Sequence, residues 1–184
     1  MKKLFLCFLV SASIVACKNE ETKKVNDTVK DSDTGSWTSL DSKTIKVRQL
    51  LEAYVKNDSS VIYAIMADTV KVREQFANNQ EDNGTNKIDL GGRTGFAQGE
   101  NSHHMLFTDI SLTTDNMRTF VWDKDGGTIT GYWGMWSGTG RFTKNKITVP
   151  VHISYVWKDD KITSIYRMFD PGPLRAEIAA SQKK

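Results

Sequence analysis

Four runs rich in β-branched and aromatic residues, at 110–122, 128–142, 147–157 and 162–169, occupy most of the second half of the chain. They are divided by Asp125-Gly126-Gly127, Lys144-Asn145-Lys146 and Lys158-Asp159-Asp160, residues that supply the sharply turning backbone of tight connections. Connections this short join strands as antiparallel neighbours, because a parallel return needs a dozen or more residues. The pattern therefore predicts an antiparallel meander. Pro171 and Pro173 stop the last strand, and residues 174–180 predict a short closing helix.

A meander with one apolar face needs a cover, and the first half of the domain provides it. Val47, Leu50, Leu51 and Tyr54 recur at helical spacing within 44–57, with Asp41 or Ser42 placed to cap the start. Asp58 and Ser59 then cap a shorter helix carrying Ile62, Ile65 and Met66 and ending near Asp68, which makes a helical hairpin. Residues 69–73 alternate as a strand, 78–92 read as a polar, Gly-rich loop, and 94–107 predict a third helix interrupted by Gly99. Helices followed by a curled antiparallel sheet give an α+β fold with the helices on one face. The apolar fraction of 39% and aromatic fraction of 10% are enough for a sizeable core.

The amino-terminal end has a different logic. Lys2 and Lys3 form a positive start, residues 4–10 a short apolar run, and a small-residue stretch follows, the parts of a secretory leader over 1–16. That run is too short to span a bilayer as a permanent helix. Ile14-Val15-Ala16-Cys17 resembles the bacterial lipobox, in which the Cys is lipidated and becomes the first mature residue. The chain has two cysteines, Cys7 inside the leader and Cys17 at the anchor, so the mature domain has no disulfide and no catalytic thiol. Several acyl chains on Cys17 would hold it to a membrane far more firmly than one myristoyl group. Lys18 in place of Asp resembles lipoproteins sent on to the outer membrane, and Glu20-Glu21 beside it resembles the surface-export signal of Bacteroidetes-type lipoproteins. From Lys18 onward the sequence is polar and charged, so 17–37 read as a lipidated Cys with a solvated tether and 38–184 as the folded domain. With Lys2 and Lys3 removed, the formal charge of +3 falls to near balance, and nothing electrostatic argues for nucleic acid.

The histidines do not make a metal site by spacing. Glu100 and His104 share a helical face, with His103 adjacent, but the four-residue interval is too loose a signal without a third fixed ligand. His152 lies on the polar side of its strand, opposite Val149, Val151 and Ile153, and is expected to face away from the core. No residue pattern calls for a cofactor.

Two segments carry a family resemblance. Residues 47–73 contain the helix, Asn57-Asp58, the second helix and Ala67-Asp68-Thr69 entering a strand. Residues 149–170 contain Val149-Pro150-Val151-His152-Ile153-Ser154-Tyr155-Val156-Trp157-Lys158-Asp159-Asp160-Lys161-Ile162, followed by Met168, Phe169 and Asp170, with Leu174 beyond. Together they resemble the nuclear transport factor 2-like, or SnoaL-like, superfamily of cystatin-like α+β cones. The resemblance implies a cone-shaped pocket between curled sheet and helices, used by some members for acid-base chemistry and by others for binding or dimerisation. It also lets catalytic sets be tested. Where members similar to ketosteroid isomerases have a strand carboxylate and a helix Tyr, this chain has Arg73 and Leu50, and arginine is no base. Where members similar to limonene epoxide hydrolases have an Arg-x-Asp pair and a final Asp, it has Gly134, Trp136 and Arg167. The SnoaL-type cyclase acid matches Asp170, which beside Pro171 also reads as a strand terminator.

The same matching turns Lys71, Arg73, Tyr132, Trp136, Val151, Ile153, Ile165, Arg167 and Phe169 inward as a pocket lining. Aromatic walls with two guanidinium groups would suit a small anionic or amphipathic ligand, unless those groups pair with Asp68, Asp170 or Glu74 and the aromatics are simply core. The expected function is an outer-membrane lipoprotein, anchored through Cys17, whose cone binds a small molecule or envelope partner without a complete catalytic set. A homodimer through the outer sheet face is what the resemblance implies. The alternative is an acid-base enzyme, a cyclase, isomerase or hydrolase, using Asp170 with Tyr166 or His104.

Overall fold

The computed structural model of the 184-residue chain describes residues 34–75, 86–88 and 91–183. The expected leader, Cys17 and the tether as far as 33 lie outside the described residues, as do 76–85 and 89–90 of the expected loop.

The helical hairpin forms where the spacing places it, with clear local causes. Helix α1 (Ser42–Val55) starts from a capping box in which Asp41 Oδ1 accepts from Thr44 N at 2.7 Å and Asp41 N donates to Thr44 Oγ1 at 2.9 Å. It ends where Asn57 takes a left-handed φ of 56°, a conformation asparagine tolerates. Helix α2 (Ser60–Ile65) is shorter than expected: Met66, fully buried, already begins strand β2 (Met66–Gln75). Helix α3 (Gly92–Leu106) begins two residues earlier than the pattern suggested. Gly91 and Gly92 both have positive φ, and a Cβ on Gly92 would collide with the Asp68 carbonyl, so only glycine lets this helix start against β2.

The expected run 110–122 is two strands, β4 (Phe107–Leu112) and β5 (Met117–Trp122), because Thr113 to Asn116 turn the chain. The next three runs give β6 (Thr128–Gly140), β7 (Lys146–Lys158) and β8 (Lys161–Phe169). Two further strands flank them. Strand β1 (Gly35–Thr38) lies in the stretch expected as the end of the tether and pairs with β5, and β3 (Asn86–Ile88), inside the expected loop, pairs with β2. Among the described residues the sheet runs β1-β5-β6-β7-β8-β2-β3, with β4 beside the distal half of β6. It is antiparallel throughout except between β2 and β8, which are parallel and joined through the rest of the domain.

The sheet curls, and its residues explain how. Gly134 and Gly138 on β6 sit under the Tyr132 and Trp136 side chains, where a Cβ would clash with each ring. The β4–β6 ladder shifts register between Thr108 and Ser111, where Asp109 has φ 54°. Inside the curl lie Val47, Leu51, Ile65, Met66, Val72, Met117, Tyr132, Tyr155, Ile162 and Ile165, all at most 6% exposed. Burying a Val, Leu or Ile side chain of this kind contributes roughly 1.5–3 kcal/mol. A buried polar chain ties α1 to the sheet: Trp157 Nε1 donates to Thr130 Oγ1 at 2.9 Å, Thr130 and Thr119 share a hydrogen bond of 2.9 Å, and Thr119 donates to Asp41 Oδ1 at 3.1 Å. Helix α4 (Gly172–Ser181) closes the domain.

Candidate functional site

The inner sheet face and the helices leave a cavity of about 110 Å³ between them. For scale, an engineered apolar cavity of roughly 150 Å³ admits benzene. Three layers of residues build it. Leu50, Leu51 and Tyr54 come from α1, Ile62 from α2, and Phe96, Glu100 and His103 from α3. Phe107 and Leu112 come from β4, Trp136 from β6, five alternate residues from Ile147 to Tyr155 from β7, and Ile165, Arg167 and Phe169 from β8. Asp170, Pro173 and Leu174 line the end next to α4. The strand residues share a wall because their registers align, Ile153 opposite both Tyr132 and Arg167, and Val151 opposite both Gly134 and Phe169.

Besides Asp170 at the α4 end, two polar features interrupt this apolar wall. In the first, Arg167 Nη1 meets Glu100 Oε1 at 2.7 Å, with 14% and 17% of the two side chains exposed, and the guanidinium lies 5.5 Å from the Phe96 ring centre. The cation inside the cone is therefore engaged by an acid of the protein. In the second, Trp136 Nε1 donates to Tyr54 Oη at 2.8 Å, and Tyr54 Oη lies 3.1 Å from His103 Nδ1. An indole can only donate, so the Tyr54 hydroxyl accepts from Trp136, and it shares a second hydrogen bond with His103 Nδ1 whose direction follows the imidazole tautomer. Burial, and then the Glu100 charge, push the Tyr54 phenol well above its ordinary pKa, which keeps it a neutral hydroxyl in this chain. Phe107 packs edge-on against Trp136 at 5.0 Å and fixes the indole.

Of the nine residues expected to line the pocket, the structure brings six together: Trp136, Val151, Ile153, Ile165, Arg167 and Phe169. The other three are corrected. Lys71 is exposed, and Arg73 stacks over Tyr166 at 5.4 Å, because β2 turns Val70 and Val72 inward and so turns Lys71 and Arg73 outward. Tyr132 is fully buried in the core beneath the cavity, where its hydroxyl donates to the Thr113 carbonyl at 2.7 Å. The guanidinium partners also differ from those expected: Asp68 holds Arg93 at 2.8 Å, and Glu100 holds Arg167.

Neither alternative catalytic pair, Asp170 with Tyr166 or Asp170 with His104, is assembled at the cavity. Asp170 lines the cavity, with Oδ1 accepting from Gly172 N at 2.8 Å, but Tyr166 is 36% exposed on the outer face. His104 Nε2 donates to the Tyr54 carbonyl at 2.7 Å and does not line the cavity. Glu100, His103, His104 and His152 therefore do not converge: His152 stacks on Trp133 across the sheet, ring centres 4.8 Å apart. Sequence reasoning missed Tyr54, Phe96, Glu100 and His103 as cavity residues. A signal for three of them was present, since Phe96, Glu100, His103 and Phe107 stand at intervals of four, three and four, one face of a helix.

No family model matches the sequence, and no curated protein matches it either. Solved structures do. IdmH from Streptomyces antibioticus aligns with a TM-score of 0.55 at 13% identity, covering 76% of this chain and 99% of that one. A SnoaL-like polyketide cyclase from Agrobacterium tumefaciens aligns with a TM-score of 0.53 at 9% identity, covering 76% and 99%. A nuclear-transport-factor-2-like protein of unknown function from Burkholderia pseudomallei gives 0.53 at 14%, covering 77% and 100%. Identities this low establish a shared fold and leave the chemistry to the site. The chain has the SnoaL-like, nuclear transport factor 2-like cone fold.

Proposed function

We propose that the cone binds one small, mainly apolar molecule carrying a neutral hydrogen-bonding head, and that binding rather than turnover is its task. One observation carries this reading: the cavity wall is apolar apart from an ion pair already closed on itself, the Trp136-Tyr54-His103 chain, and Asp170 at the α4 end, whose Oδ1 accepts from the Gly172 amide. A free anion would have to compete with Glu100 for Arg167, so an amphipathic ligand fits better than an anionic one. In the same reading the protein is an outer-membrane lipoprotein held at Cys17, and a homodimer forms through the exposed outer sheet face.

The test is a thermal-shift and tryptophan-fluorescence screen of single-ring phenols, aromatic ketones and medium-chain alcohols beside matched carboxylates. At about ten times Kd a ligand contributes ~1.4 kcal/mol, a rise of roughly 3–5 °C for a domain of this size. Neutral amphiphiles should give that rise and alter Trp136 emission, carboxylates should give less, and Trp136→Phe should lose the optical change. Hits that are exclusively carboxylates and depend on Arg167 would restore the anionic reading. No hits at all would leave recognition of an envelope partner in front.

An acid-base enzyme remains the second reading, supported by the presence of both His103 and Asp170 on the cavity wall and by the polyketide cyclase among the fold's relatives. Recovery of a bound ligand in chemically altered form, lost in Asp170→Asn or His103→Gln, would decide for it.

A further inference from the structure

The edge formed by β1 and β5 carries a braced group of aromatic rings that neither the cavity nor the middle of the outer face uses. Trp37 is 62% exposed, and Leu40, two residues beyond β1, is 79% exposed. Trp37 stands opposite Phe120 across the β1–β5 ladder, with ring centres 4.8 Å apart, and Phe120 meets Trp122 edge-on at 4.6 Å. Gly35 leaves room for the Phe120 ring, since a Cβ there would collide with it. The rings are thus pinned in a ledge with Trp37 outermost. Single exposed apolar residues need no explanation, but a rigid aromatic stack with an exposed leucine beside it does.

The position of the ledge indicates what covers it. Asp123 N donates to the Thr34 carbonyl at 2.9 Å, so the described chain enters the domain beside Trp122. Thr34 is seventeen residues beyond Cys17, and a segment of that length reaches at most ~60 Å. Rigid rings with an apolar body and an indole N–H settle at the boundary between headgroups and acyl chains. Among the described residues of β5 and the turn after it, the exposed Arg118 and Lys124 balance the exposed Asp123 and Asp125, which leaves no net charge there to select anionic lipid.

We propose that Trp37 and Leu40, backed by Phe120 and Trp122, dock at the interface of the bilayer that holds Cys17 and so orient the domain upon it. This rests on the anchoring reading. The mature lipoprotein, reconstituted in phosphatidylcholine vesicles brominated on the acyl chains, should lose tryptophan emission relative to unbrominated vesicles. Trp37→Phe should abolish most of that loss, Trp133→Phe should keep it, and high salt should not change it. Flotation of the same vesicles separates the two ideas. If the protein floats but bromine quenches nothing, or quenches Trp37→Phe equally, the docking is overturned and the anchor stands. If it does not float, the anchor reading fails and the docking with it. A Trp37 signal that follows protein concentration and ignores bromine would assign the ledge to a second copy and also overturn the proposal.

Discussion

Arg167 shows how a charge can sit in an apolar cone without defining its ligand. Its guanidinium and the Glu100 carboxylate are 2.7 Å apart and both largely shielded from water, so each is the main reason the other is tolerated there. Removing one partner should be worse than removing both. Arg167→Met or Glu100→Gln alone should destabilise the domain by about 3 kcal/mol, the low end for breaking a buried pair because some water still reaches it. The double variant Arg167→Met/Glu100→Leu should lose clearly less than the sum in urea unfolding. Strictly additive losses would mean that the two groups act independently and that the cation is available to a ligand. Arg73 carries the opposite lesson: matching positions to a family pattern puts it inside, while Val70 and Val72, alternating ahead of it, already mark the inward parity of the strand.

Among the elements, α4 depends on one side chain. Glu177 is fully buried, the one buried carboxylate among the described residues, and accepts hydrogen bonds from the Phe142 amide, the Thr143 amide at 3.1 Å and the Thr143 hydroxyl at 2.6 Å. It fixes α4, which supplies Pro173 and Leu174 to the cavity, onto the β6–β7 turn. Burial alone would raise its pKa, but the Thr143 hydroxyl, the two amides and the Lys144 charge outweigh burial and hold the carboxyl below its ordinary value. A group whose folded pKa is depressed contributes stability above its unfolded pKa and loses it as pH falls through the folded one. The wild-type melting temperature should therefore drop more steeply than that of Glu177→Gln between about pH 5 and pH 3. Near pH 7 the variant should be weaker by roughly 1–3 kcal/mol, since an amide presents a donor to two backbone donors. A gap between the two that stays constant over this range would show that Glu177 acts through packing alone. The sequence made α4, the hairpin of α1 and α2, and β6 to β8 legible, because period and turn residues are local. It did not reveal the Glu177 contact, the parallel β2–β8 pair or β1, since each depends on partners far along the chain and no local pattern marks it. Six of the cavity residues on β6 to β8 follow from the family matching, whereas the helical spacing of Phe96, Glu100 and His103 marks a shared face without saying that this face meets the sheet.

At the scale of the whole molecule, the curl that makes the cone also leaves its convex side bare. Trp133 and Met135 on β6 are each 40% exposed and Met168 on β8 is 46% exposed. The ladders set Trp133 opposite His152, His152 opposite Met168, and Met135 opposite Pro150, so these side chains form one patch across three strands. The Trp133 ring lies over Gly131 and stacks on His152, which holds it flat against the sheet. A contiguous, largely apolar patch in the middle of a sheet is suited to another copy of itself, because a two-fold axis brings the same strands together and pairs each residue with its own kind of surface. An interface of standard size buries roughly 800 Å² on each partner, more than Trp133, Met135 and Met168 alone can offer, so Tyr166 with Arg73 stacked on it should be drawn in as the rim. The expectation is a dimer in sedimentation of the purified protein at micromolar concentration. Met135→Asp, which puts like charges face to face across the axis, should shift it to monomer by at least tenfold in Kd, about 1.4 kcal/mol, with an unchanged melting curve at high dilution. A wild type that sediments as a monomer throughout, or a Met135→Asp variant that dimerises as well as wild type, would leave this face to a different partner.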